Sequence, residues 1–116
     1  MTVFDLLHEN ALADNELLTK NDFHGDVFSI ARDVDFTFKT GDKEKAKDLC
    51  EYMKGKNFGI PSISQSDDGL WWILVVIHMP INQPILCCIS GFMVCLSRLF
   101  QVEYDGWGSV IQGAEK

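Results

Sequence analysis

The sequence predicts an α+β fold, a ferredoxin-like sandwich in which a four-stranded antiparallel sheet carries two helices on one face. Three observations lead there. The hydropathy period alternates between helical and two-residue spacing along the chain. After an N-terminal helix the order reads strand–helix–strand–strand–helix–strand, which is two split βαβ halves. A length of 116 residues holds one core, covered here by helices gathered on one side of the sheet. The expected division is a helical extension and connector over 1–28 and the sandwich domain over 29–116.

Residues 2–19 follow a rough helical period through Val3, Leu6, Leu7, Ala11, Leu17 and Leu18, with Asp14 and Asn15 as a candidate break. Asn21 to Asp26 is a polar connector. From Arg32 to Lys39 the chain alternates: Val34, Phe36 and Phe38 point one way, and Asp33, Asp35, Thr37 and Lys39 the other. That is a half-buried strand. Asp42 is an N-cap for a helix carrying Ala46, Leu49, Cys50 and Met53 inward, which Gly55 is expected to stop. Phe58 to Ser64 is a short strand. Its Pro61 lacks an N–H donor and so belongs at a sheet edge.

Ser66-Asp67-Asp68-Gly69 has turn chemistry. Trp71 to Met79 is the strongest strand, apolar on both faces near its middle, as expected of a central position or a second covered surface. Asn82 and Pro84 open a helix to about Phe100, with Ile85, Cys88, Ile89, Phe92, Leu96 and Leu99 as its apolar stripe. The last strand begins at Gln101, breaks at Asp105-Gly106 and resumes over Trp107–Gln112.

The apolar stretch from Leu70 to Phe100 is too broken for a membrane span, because His78, Pro80, Asn82, Gln83 and Pro84 interrupt it. No membrane association is expected. The four cysteines, Cys50, Cys87, Cys88 and Cys95, form no C-x-x-C pair, and no basic leader precedes them. Free, buried thiols in a reducing cytoplasm are the natural reading. Ten basic against seventeen acidic residues leave a net charge of −7. Such a surface disfavours direct binding to nucleic acid and suits a basic protein partner.

Catalysis needs convergent groups, and the sequence presents no such set. His8, His24 and His78 lie on different elements without metal spacing. No phosphate-binding glycine loop is present. No catalytic residue, metal or cofactor is therefore expected. Two features stand apart from ordinary core. In Glu103-Tyr104-Asp105-Gly106-Trp107-Gly108, the Asp-Gly pair inside a strand marks a bulge, with Gly106 and Gly108 as turn or bulge residues. The bulge places Tyr104 and Trp107 on one face, either finishing the core or forming a contact patch with Glu103 and Asp105. Asp33 and Asp35 form an acidic strand face, either simply solvated or a docking site for basic residues.

The run Phe100-Gln101-Val102-Glu103-Tyr104-Asp105-Gly106-Trp107-Gly108 resembles the C-terminal signature of the RraB family, protein regulators of ribonuclease E. Arg32–Phe38 resembles that family's first strand, Ala46–Phe58 its first helix and the turn after it, and Trp71–Ile77 the strand before its second helix. The resemblance implies a ferredoxin-like fold and a non-enzymatic role, in which the domain binds the basic scaffold region of ribonuclease E and lowers its cleavage of selected RNAs. The chain departs from well-known members in lacking a long acidic C-terminal tail and in the very apolar Ile85–Phe100 helix. Two alternatives stay open: a small-molecule-binding or enzymatic domain on the same sandwich, and a homodimer packed through Ile85–Phe100.

Overall fold

The structure, a computed structural model, describes residues 1–113. The final three residues assigned to the sandwich domain lie outside the described residues. The elements are α1 (Val3–Phe23), β1 (Arg32–Thr40), α2 (Lys43–Lys56), β2 (Ile60–Gln65), β3 (Trp71–Met79), α3 (Gln83–Phe100) and β4 (Glu103–Ser109). The strands form one sheet in the order β2-β3-β1-β4, and every neighbouring pair is antiparallel. The predicted α+β sandwich is the observed one.

Alternation along β1 sends Val34, Phe36 and Phe38 to one face, where all three are fully buried. Ala46, Leu49 and Met53 of α2 and Leu86, Met93 and Leu96 of α3 cover them, so both helices share one core with the inner side of β3. Each large apolar side chain removed from water there contributes roughly 1.5–3 kcal/mol. The polar ends are met locally. Asp42 accepts from the backbone N–H groups of Glu44 and Lys45 and caps α2. Ser66 N–H donates to the Leu70 carbonyl and closes the β2–β3 turn. Pro61 sits on β2, an edge strand, as its missing donor requires.

Several expectations are corrected. α1 runs unbroken to Phe23, because Asp14 turns inward and finds donors instead of breaking the helix. Gly55 lies inside α2, and the stop is made by Asn57, left-handed at φ 63°, whose N–H meets the Lys54 carbonyl. Gly59 follows at φ 83°, where a Cβ would come within 2.7 Å of the Val76 carbonyl oxygen, so only glycine lets the chain enter β2 there. Asn82 occupies the N-cap position of α3 but makes no side-chain cap bond. β4 crosses Asp105-Gly106 without a break and ends at Ser109, three residues early.

The second helix departs most from expectation. Its buried residues are Leu86, Ser90, Met93, Val94, Leu96 and Ser97. Of the predicted stripe, Ile85, Cys88, Phe92 and Leu99 are exposed. α3 is apolar on nearly every side, so hydropathy could not say which side faces inward. The sheet and α1 decided it: α1 packs along α3, where Ser90 and Gly91 allow close approach. α3 is long and apolar enough to cross a membrane by composition, yet here it is a layer of the sandwich. The thiols are also less enclosed than expected, with Cys88 exposed and the other three half-buried.

Candidate functional site

α1 stays on the helix side, so among the described residues nothing covers the opposite sheet face. Register defines its surface. Asp33, Asp35, Thr37 and Lys39 of β1 stand opposite His78, Val76, Leu74 and Trp72 of β3. Ile60 of the edge strand β2 extends the apolar strip beside Val76 and is 74% exposed. This strip explains why β3 is apolar on both faces: one side is core, and the other is half-buried sheet surface with nothing packed on it among the described residues.

The far side of β1 is acidic. The β1–β4 register slips between Thr37 and Phe38, with Thr37 opposite Gly106 and Phe38 opposite Tyr104. Asp105 is the extra residue, and Gly106 takes φ 102°. The bulge therefore exists where Asp-Gly predicted it. Glu103 and Asp105 both turn to the open face, each 3.4 Å from the Lys39 ammonium. Asp105 and then Glu103 raise the Lys39 pKa, and the ammonium also lies 5.5 Å from the Trp72 ring centre. Asp33 pairs with the His78 ring at 3.0 Å, both exposed. Among the described residues, Asp33, Asp35, Glu103 and Asp105 thus stand against one lysine on this face. Gly106 and Gly108 leave a strip of β4 without side chains between them.

The six sequence-marked contact residues are divided by the sheet. The four carboxylates share the open face. Tyr104 and Trp107 share the inner face, as the bulge predicts, opposite Phe38 and Phe36. Trp107 is 9% exposed, and the Tyr104 ring packs on Phe38 with centres 5.3 Å apart. These rings finish the core.

Their polar tips meet a group that sequence reasoning missed. Asp14, 3% exposed in the middle of α1, accepts from Trp107 Nε1 and Ser90 Oγ, both at 3.1 Å, and from Asn10 Nδ2 at 3.2 Å. Ser90 Oγ lies 3.0 Å from the Tyr104 hydroxyl. Burial raises the Asp14 carboxyl above its ordinary 3.8, opposed by the Ser90 and Trp107 bonds. Burial also pushes the Tyr104 phenol up. The signal lay in spacing: Asn10, Asp14 and Asn21 fall on the same helical side as Leu18, a polar series inside an apolar stripe.

An open groove of about 900 Å³ runs between α1 and the α3–β4 corner, bordered by Asn10, Lys39, Arg98 and Tyr104 but not by Trp107. Burial raises the Cys50 and Cys87 thiols, which disfavours thiolate chemistry. Among the described residues, no three His, Cys, Asp or Glu side chains are placed to hold a metal ion.

Fold and surface together define a split-βαβ sandwich with one sheet face left uncovered, half apolar and half acidic. A family model described as regulator of ribonuclease activity B (RraB) matches residues 12–109, from the middle of α1 to the end of β4, and the chain belongs to that family. No curated protein matches the chain.

Proposed function

We propose that this chain is a non-catalytic regulator that docks a basic segment of a ribonuclease, of the ribonuclease E kind, on its open sheet face. The family match supplies the ribonuclease. The observation that carries the mode of binding is the placement of Asp33, Asp35, Glu103 and Asp105 beside the half-buried strip of Trp72, Leu74 and Val76 and the exposed Ile60. Carboxylates steer a cationic segment toward the sheet, and the apolar strip then holds it by removing its own surface from water. The side-chain-free stretch at Gly106 and Gly108 lets a partner backbone come close. The chain acts by occupying its partner, makes and breaks no covalent bond, and works in the cytoplasm.

The test is retention of the scaffold segment of ribonuclease E on the immobilised chain, at low and at high salt. Retention at low salt that falls steeply with ionic strength is expected. Asp33→Lys with Asp35→Lys should weaken binding at least tenfold while leaving the fold intact, since both side chains are exposed. Equal retention by the reversed variant would remove this face from the mechanism.

A further inference from the structure

The sheet ends in β2 on one side and β4 on the other, and the two edges are not alike. In an antiparallel ladder, residues whose N–H and C=O groups face one neighbour alternate with residues whose groups face the other way. The bond from the Ser66 N–H to the Leu70 carbonyl sets the phase on β2 and β3. Stepping two residues at a time along the register, Ile60, Ser62 and Ser64 turn their backbone groups to β3. Pro61 is left at an outward position, where it has no N–H to offer, and that edge is blunted. Carried across β3 and β1, the same phase turns the backbones of Asp35 and Thr37 toward Gly108 and Gly106 of β4. The backbone groups of Trp107 and Ser109 therefore point outward, and among the described residues no other backbone bonds to them. β4 holds neither proline nor lysine, and its bulge, at Asp105, lies ahead of this stretch.

Donors and acceptors repeated at strand spacing are met by an extended backbone, not by a helix, whose own groups are bonded internally. Side chains narrow the partner further. Gly106 and Gly108 leave the open face beside this edge without side chains, and the residue inward of Gly108 is Asp35. Asp33 has His78, and Glu103 and Asp105 share Lys39, but Asp35 has no ion pair among the described residues. An added strand lies two strand spacings from β1, about 10 Å. A lysine or arginine on it can lay its apolar stem over the glycine and bring its charge to Asp35. A second copy of β4 would instead set the Glu103 and Asp105 side chains of both chains along one edge, where like charges repel.

We infer that the partner's basic segment binds β4 as a fifth strand, extended, pairing with the backbones of Trp107 and Ser109 and laying alternate lysine or arginine side chains across Gly106 and Gly108 toward Asp35. That the segment is basic rests on the sheet-face docking proposed above; that it is extended rests on the free edge.

Amide hydrogen exchange of the full chain, followed by NMR with and without a short peptide alternating lysine and threonine, tests the added strand. The peptide should slow exchange at the Trp107 and Ser109 N–H groups by about tenfold or more, because pairing takes them out of water. Methylating the backbone nitrogens of the threonines in one peptide and of the lysines in another should abolish binding in one and spare it in the other, since only one set faces β4. Gly108→Val, whose Cβ meets nothing within 4 Å, puts a side chain between the edge and Asp35 and should weaken binding about tenfold. Binding that leaves both amides exchanging at their free rates, or that both methylated peptides retain, overturns the added strand and leaves docking on the face intact. No binding of the alternating peptide at low salt overturns it as well, while retention of the ribonuclease E scaffold segment, read separately, decides the sheet-face docking. Protection of the same amides on raising the chain concentration alone would give the edge to a second copy and overturn it too.

Discussion

Two carboxylates are buried among the described residues, and they are satisfied in opposite ways. Asp26, in the connector after α1, is clamped by Arg32 at 2.7 and 2.8 Å, with Asn21 Nδ2 at 3.1 Å and the Gln112 N–H at 3.3 Å. Arg32 uses its remaining donors on the Val27 and Ile30 carbonyls. Asp14, one helix away, has only neutral donors: a serine, an indole and an amide. A fixed guanidinium whose Nη1 meets both carboxylate oxygens compensates a buried negative charge directly. Neutral dipoles compensate it in part, and the remainder appears as a raised proton affinity at Asp14. Asp26 therefore works as a latch, closing the connector onto β1 and the chain beyond β4. Asp14 works as a register pin, fixing α1 against α3 and β4 at a cost in stability.

The largest effect should come from splitting the latch. Arg32→Met leaves Asp26 buried without its cation and should cost about 3–5 kcal/mol in urea denaturation. A loss smaller than that of any Asp14-cluster variant would reverse the comparison. Next is Trp107→Phe, which removes one of the donors to Asp14 and should cost roughly 1–3 kcal/mol by the same measurement. It should also raise the Asp14 pKa further, seen as a carboxyl titration by NMR.

The smallest effect is Asp14→Asn, an isosteric neutral replacement that should change stability at neutral pH by about 1 kcal/mol or less. Its value lies in pH dependence. Because folding raises the Asp14 pKa, protonation favours the native state. The contribution is complete below the ordinary value of 3.8 and is lost as pH rises through the folded value. Wild type should therefore gain on Asp14→Asn as the buffer is acidified from neutral. A gain in the opposite direction would mean that the carboxylate is stabilised in its charged form.

Much of this architecture was legible in the residues. Clean alternation in β1, the Asp42 cap, Pro61 at an edge and the Asp-Gly bulge each depend on neighbours a few positions away, so local chemistry sufficed. The candidate site was half legible. Asp33 and Asp35 were found by alternation and Glu103 and Asp105 by the motif, but Tyr104 and Trp107 turned inward once Asp14 was there to receive the indole. A single helical aspartate reads as solvent-facing or helix-breaking until its distant donors, Ser90 and Trp107, are in place.

By itself, then, the sequence determined the element order, the strand faces and the acidic balance, because period, caps and charge are properties of short stretches of chain. The tertiary structure alone decided three things: that α1 lies on α3 and leaves the sheet bare, that Asp14 is buried, and that the Ile85–Phe92–Leu99 edge of α3 faces outward. Each is a choice between surfaces of similar hydropathy. Only the packing of distant elements can make such a choice, since the free energy of burial depends on how much area is covered and which donors are brought near, not on where a residue stands in the chain.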